Sequence, residues 1–345
     1  MNKHLTVSKL IVVMAVAAVF AGSVTAQQSP PEPPDTKSPV SVPTKIKVQA
    51  PVVVTTFPQT RTEKSLQVAA KPTVSMCVAS GNVRVNGWDR DEIRVLIDGG
   101  TVNFKIAERD QKSEQPTWIF VVGNDPKVKT TVRTDECLAG ELIELDVPRE
   151  SAVNIKGNSE NTTVESVGKV KIENIDGNIV VRNVSGGVAI NTFEGAVIVE
   201  RSKGSIMLGS SSGAIVAVSV GQSETGDVFK VKSQGGSIAV QDVAYRQVEI
   251  NSISGAVTYR GALSNGGQYI FGTQSGRLVM ILPRTANCAV TTWSGVGAFS
   301  TDFKFRNAVK TGPGMTGAIG ETDSDCTLTV KTTSGQIKIV GDSKP

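Results

Sequence analysis

The sequence of 345 residues contains one histidine, His4. It lies in a segment that reads as an export signal, so the mature chain is expected to carry none. That excludes Ser–His and Cys–His catalysis, imidazole acid–base work and every histidine metal site. Aromatic residues make up only 5% of the chain, which argues against a stacking platform for bases or a long sugar-binding ladder. Long helical periodicity is absent after the signal, and no later segment is long and apolar enough to cross a bilayer. Charge of one sign is not in excess either. The formal net charge of +4 falls to +2 when Lys3 and Lys9 leave with the signal. Acidic and basic side chains interleave, without the clustered basic face of a nucleic-acid binder.

What is present begins with "MNKHLTVSK", the apolar run "LIVVMAVAAVF" and "VTA" at Val24–Ala26, which together read as a signal peptide over 1–26 cleaved before Gln27. No integral membrane segment remains after that cleavage. Residues 27–65 are rich in proline and poor in large apolar residues, the composition of an extended spacer. From about Gln67 onward, stretches such as "GNVRVNGW", "EIRVLIDG" and "KVKIENIDG" alternate apolar and polar residues, the period of half-buried strands. The chain is therefore all-β. Residues 66–150 have longer strands and wider spacing and are expected to cap one end of a repeat domain over 151–341.

The repeat is visible in "IDGNI", "FEGAV", "SSGAI", "GGSI", "ISGAV", "QSGRL" and "TSGQI". Its glycines are Gly177, Gly195, Gly213, Gly236, Gly255, Gly276 and Gly335, the first six recurring about every 20 residues. Gly168, Gly187 and Gly204 mark a second turn between them. Gly295 continues the series before a gap of about two repeat lengths. Two short strands and two glycine turns per repeat of about 20 residues predict a β-solenoid, because stacked coils bury what one short strand cannot. An antiparallel sandwich or meander uses the same strands and is the alternative. Positive φ at the corner glycines, and a hydrogen bond from the Ser or Asp before each, are expected to shape the turns. The expected inward residues are Val170, Ile172, Ile179, Val181, Val188, Ile190, Val197, Val199, Ile206, Leu208, Ile215, Ile238, Val240, Val248, Ile250, Val257, Leu278, Met280, Ile337 and Ile339. Residues 299–325 form an excursion, a hairpin or a surface loop, before the last repeat.

Four cysteines, Cys77, Cys137, Cys288 and Cys326, allow three disulfide connectivities. Cys77–Cys137 with Cys288–Cys326 is favoured, since each pair lies within one region. Zinc is disfavoured by the lack of close C-x-x-C spacing. "GSSSG" at Gly209–Gly213 fits the nucleophile pattern G-x-S-x-G, but "AIVAVSV" after it is a strand and no histidine is available. "GPGMTG" at Gly312–Gly317 fits a dinucleotide motif, which must open a helix directly after a strand, but it sits in an expected loop, holds Pro313 and leads to "AIGETDSD". Carboxylates at Asp89, Asp91 and Glu92, and at Glu141, Glu144 and Asp146, would need to face one cleft to act on a glycan. Calcium would need a denser oxygen cluster than these; "ETDSD" at Glu321–Asp325 is the best calcium candidate and reads as a solvated loop. Trp88, Trp118 and Trp293 are candidates either for sugar stacking or for packing.

"VSMCVASGNVRVNGWDRDEIRV", "LDVPRESAVNIKG", "VGKVKIENIDGNIVV", "LVMILPRTANCAVTTWSG" and "TLTVKTTSGQIKIVG" occur in that order. Together, over about residues 67–341, they resemble the putative-adhesin family of bacterial exported β-strand-repeat proteins. The resemblance implies a solenoid-like stack at or beyond the cell envelope and brings no catalytic residues. The expectation is a non-enzymatic surface for adhesion or envelope interactions, with an envelope protein or glycan as partner, no nucleic acid and no cofactor. A structural or stress-sensing envelope protein is the runner-up, and a polysaccharide-acting enzyme the reading from another class. Localisation is expected to be periplasmic, cell-surface or secreted.

Overall fold

Alternating β-branched and polar residues make strands that are apolar on one side, and such strands must stack to bury it. The computed structural model describes residues 61–123, 136–158 and 161–342. The expected signal peptide and residues 27–60 of the expected spacer lie outside the described residues. Twenty-six strands and one short 3-10 turn, Glu108–Asp110, are formed, and no α-helix occurs among the described residues. The first six strands are β1 (Arg61–Gln67), β2 (Thr73–Trp88), β3 (Glu92–Asp98), β4 (Asn103–Ile106), β5 (Trp118–Val122) and β6 (Leu138–Pro148). β1 thus opens inside the stretch read as spacer.

The repeats follow as pairs, one strand for each of two sheets. The pairs are β7 (Ala152–Gly157) with β8 (Thr162–Glu165), β9 (Lys169–Asn174) with β10 (Ile179–Arg182), β11 (Val188–Thr192) with β12 (Val197–Glu200), and β13 (Ile206–Ser210) with β14 (Ile215–Gly221). Then come β15 (Val228–Ser233) with β16 (Ile238–Ala244), β17 (Gln247–Ser252) with β18 (Val257–Arg260), and β19 (Gln268–Thr273) with β20 (Leu278–Leu282). Within β7 to β20, odd strands pair in parallel with odd ones, making sheet A. Even strands do the same in sheet B. The chain is an all-β parallel solenoid with two strands per coil, as the repeat predicts; the antiparallel alternative fails because the ladders between successive coils are parallel.

Every expected inward residue is buried. The shorter coils, such as Val170 to Val188 to Ile206, fill their interior with valine, isoleucine and leucine. Longer turns after β14 and β18 widen the later coils. Their interior is filled by Phe229, Tyr245, Tyr259, Tyr269 and Phe271. The buried tyrosine hydroxyls are satisfied: Tyr245 donates to Gly204 O at 2.6 Å and Tyr269 to Tyr245 O at 2.9 Å. Tyr259 donates to Ala262 O at 3.2 Å.

The corner glycines are needed for a reason other than the one expected. Gly177 and Gly195 do have positive φ, 101° and 90°. Gly213, Gly236, Gly255, Gly276 and Gly335 do not. In these five and in Gly195 the missing Cβ would fall well inside van der Waals contact of the carbonyl oxygen of the glycine on the neighbouring coil. The glycines form a ladder of backbone-on-backbone packing.

The hydrogen bonds at this corner also differ from expectation. The hydroxyl three residues before the glycine, not the residue just before it, accepts the glycine N–H in the middle coils. These bonds are Gly213 to Ser210, Gly236 to Ser233, Gly255 to Ser252 and Gly276 to Thr273, at 2.9 to 3.0 Å. Asp176 is the exception, taking the Gly177 N–H itself at 2.6 Å. The serines directly before the glycines reach back one coil instead: Ser212 donates to Phe193 O and Ser254 to Gln234 O.

Both ends depart from chain order. The last strands are β21 (Cys288–Trp293), β22 (Phe299–Thr301), β23 (Arg306–Thr311), β24 (Gly314–Ile319), β25 (Thr327–Thr332) and β26 (Ile337–Gly341). β25 and β26, the final coil, pair with β19 and β20 on one side and with β21 and β22 on the other. The coil that follows β20 in sequence is thus displaced outward by the coil that ends the chain. Gly297, not Gly295, continues the glycine ladder, packing on Gly335. At the other end β2 bends through both sheets, pairing with β7 and β8 inward and with β5 and β6 outward. Antiparallel strands finish the stack: β3 and β1 beyond β6, β4 beyond β5, and the β23–β24 hairpin beyond β21.

The two disulfides are Cys77–Cys137 and Cys288–Cys326, the favoured pairing. Each joins an out-of-order coil to its neighbour. Cys288 and Cys326 are fully buried, whereas Cys77 and Cys137 are half-buried on the outer surface.

Candidate surface site on sheet A

Parallel in-register pairing brings equivalent outward residues of successive coils into columns. In sheet A one column runs Phe120, Ser75, Asn154, Lys171, Ala189, Met207, Lys230, Glu249 and Ile270. The next runs Cys77, Lys156, Glu173, Asn191, Gly209, Lys232, Asn251 and Gly272. Beside them, the turns leading to sheet B raise Ile175, Phe193 and Ile253, each more than half exposed.

Three large depressions lie along these columns, with a smaller one of about 80 Å³ by Lys230, Glu249 and Ile270. The first, about 430 Å³, is lined by Phe120, the Cys77 wall, Lys105, Glu136, Lys156, Lys171 and Glu173. The second, also about 430 Å³, takes in Ile175, Asn191 and Phe193 and shares Lys156 and Glu173 with the first. The third, about 470 Å³, takes in Lys232, Gln234, Asn251 and Ile253 and shares Asn191, Thr192 and Ser211 with the second. They join into one groove from β5 to β17. With strands about 4.8 Å apart, its eight sheet A strands span about 34 Å.

Charged side chains of both signs line the groove. Its two carboxylates are each held by lysine: Glu173 by Lys171 at 2.8 Å and Lys156 at 3.6 Å, Glu136 by Lys105 at 3.4 Å. The hydrogen bond and charge of Lys171, with Lys156 behind it, keep the Glu173 carboxyl below the ordinary range, the opposite of what a general acid needs. The other carboxylates singled out from the sequence are elsewhere. Asp89 is clamped by Arg149 at 2.6 Å, Asp146 by Arg94 at 2.5 Å, and Glu144 lies between Arg61 and Arg84 at 3.0 and 3.2 Å. The pairs of Asp146 and Glu144 sit on the outer face of sheet B and its extension, not around a cleft. Asp91 and Glu141 are exposed. Among the described residues no group of three or more His, Cys, Asp or Glu could hold a metal ion. In the 321–325 loop, Asp323 meets Arg306 at 3.3 Å and Thr322 accepts from Asn287 at 2.6 Å.

"GSSSG" resolves into five separate jobs. Gly209 lies under Asn191 in the groove floor, Ser210 holds the corner, Ser211 lines the groove, Ser212 ties to the previous coil, and Gly213 is a rung of the ladder. "GPGMTG" supplies the turn of the β23–β24 hairpin and opens no helix. Trp88 packs, donating to Glu92 O at 2.7 Å beneath Arg90 and Arg94. Trp118 stacks on Phe120 at 5.8 Å beside the first depression, and Trp293 is partly exposed on β21. Sequence reasoning missed Phe193, Asn191 and Lys232 as groove residues. The signal was the separation of Ile175 and Phe193 by one coil length, which places them on adjacent coils.

No family model matches the chain, and no curated protein matches it. Three solved structures do. One is a putative adhesin from Parabacteroides distasonis, 13% identical over 83% of this chain and 98% of that one, with a TM-score of 0.40. Another, from Parabacteroides merdae and also a putative adhesin, is 11% identical over 82% and 96%, TM-score 0.35. The third is a putative cell adhesion protein from Clostridium sporogenes, 10% identical over 82% and 100%, TM-score 0.24.

Proposed function

We infer that this chain is an exported, non-enzymatic binding protein that presents the outer face of sheet A for adhesion or for contact with other envelope components. The observation that carries this reading is the groove of about 34 Å, whose walls are fixed by backbone ladders and not by mobile loops. A rigid site binds without the cost of ordering itself. Two disulfides fit an oxidising compartment. The lysine-clamped carboxylates of the groove support binding over hydrolysis. The test is photo-crosslinking in intact cells, with the reactive group at Phe193 in the groove or at Ile198 on the outer face of sheet B. Capture of a discrete partner from position 193 and none from 198 is expected. Equal capture from both positions, or none from 193, overturns the reading.

A further inference from the structure

The two outer faces differ in charge although the sequence interleaves its charges. In the parallel coils from β7 onward, the outward positions of sheet A carry Lys156, Lys169, Lys171, Lys230, Lys232 and Lys331 against Glu173 and Glu249. Over the same coils, sheet B carries Arg182, Arg260 and Lys338 against Glu165, Glu200 and Asp242. The excess is thus four positive charges on one sheet and none on the other. Within the groove lining itself Lys105, Lys156, Lys171 and Lys232 stand against Glu136 and Glu173, an excess of two, and of these lysines Lys232 makes no ion pair among the described residues. Sheet B instead shows a run of half-buried aliphatic side chains, Val180, Ile198, Val216 and Val279.

We propose that the sheet A groove binds a linear acidic glycan, laid along the stack with its carboxylates toward the lysines. This rests on the reading of the groove as a binding surface and names its ligand. Three features favour a glycan over other polyanions. The groove is lined between its lysines by amides and hydroxyls, Asn154, Asn191, Ser211, Gln234 and Asn251, which suit sugar hydroxyls. It is a series of adjoining depressions along the stack, beside the raised Ile175, Phe193 and Ile253, and not a protruding basic surface for a membrane. Its cations are lysines without arginine forks; its aromatics are Phe120 at the first depression and Phe193 at the second, with none lining the third, so a run of nucleobases would find no continuous stacking platform.

The experiment is calorimetric titration of the purified full-length exported protein with oligogalacturonate long enough to span the groove. Neutral malto-oligosaccharide of equal length and oligo(dT) serve as comparators. Oligogalacturonate is expected to bind at least about tenfold tighter than either, with affinity falling as salt is added. The double variant Lys171→Gln/Lys232→Gln is expected to lose about tenfold or more, whereas Lys338→Gln on sheet B is expected to bind as wild type. Equal binding by the double variant and wild type overturns the proposal. So does oligo(dT) binding as tightly, which would mark a general polyanion surface. Neutral oligosaccharide binding as tightly, and weakened by Phe193→Ala, overturns the acidic ligand while leaving the groove a binding site. No binding of any saccharide also overturns it, and the crosslinking at position 193 then decides separately whether the groove binds a partner.

Discussion

Between β9 and β20 each coil lies beside the coil that precedes it in sequence. At the ends, β2 lies beside β7 and β20 beside β26, with other strands intervening along the chain. The middle is held by repetition: a glycine rung and a parallel ladder recur in each coil, with a buried corner hydroxyl in every coil from Thr192 to Thr273. The ends break the order, and each break carries a disulfide, spanning 60 residues at one end and 38 at the other. Closing a loop of about 80 residues instead of about 20 costs only about 1 kcal/mol more. The larger hazard is that an out-of-order coil can pair in the wrong place. A crosslink to the correct neighbour removes about 4 kcal/mol of unfolded-chain entropy and selects that neighbour. A regular repeat specifies its register by itself, whereas a displaced coil needs a covalent mark.

The largest test of this contrast is removal of the staples. Cys288→Ala/Cys326→Ala is expected to lower stability by about 4 kcal/mol in urea unfolding. Under mild reductant, alkylation mapping should label Cys77 and Cys137 well before the buried pair; simultaneous labelling would break the distinction between the ends. In the middle, Gly255→Ala should cost about 3 kcal/mol, because the new Cβ meets the Gly236 carbonyl. Gly226→Ala, with φ of 106° and open space around it, should cost only about 1 kcal/mol. Equal losses in thermal unfolding would remove the close-packing account of the ladder.

The wide middle coils should respond to alkali. Desolvation by burial raises the phenol pKa of Tyr245 and Tyr259 well above its ordinary value, so the folded chain keeps protons that the unfolded chain releases near pH 10. Their contribution is therefore complete below about pH 10 and declines above it, by about 1.4 kcal/mol per pH unit for each tyrosine. Loss of strand circular dichroism should coincide with tyrosinate absorbance; tyrosinate formation in a folded chain would contradict their burial. The smallest effect is at one hydroxyl. Ser252→Ala strands the Gly255 N–H and should cost about 1 kcal/mol, with Ser252→Thr close to wild type by the same unfolding measurement.

Much of the middle was legible in the sequence. The alternation from Val170 to Ile339 named the buried residues because the pleat sends alternate side chains to opposite faces. The glycine spacing gave the coil length, and the even cysteine count with regional pairing gave the two bridges. The purpose of the glycines was not legible. Positive φ is a property of one residue and is readily inferred, whereas packing of Gly255 on Gly236 exists only when two coils touch. Nor was the groove legible, since Asn191, Ser211 and Lys232 belong to three successive coils and share a wall only through stacking.

The sequence by itself determined that the chain is all-β, how long each coil is and which residues face inward. These follow from local periodicity and from the burial of apolar side chains. Tertiary structure alone decided the order of the coils at both ends, because a parallel backbone ladder accepts any coil of the right length as neighbour. It also decided which outward residues stand together, and so turned charges mixed along the chain into a lysine-rich face on one sheet and a charge-balanced one on the other.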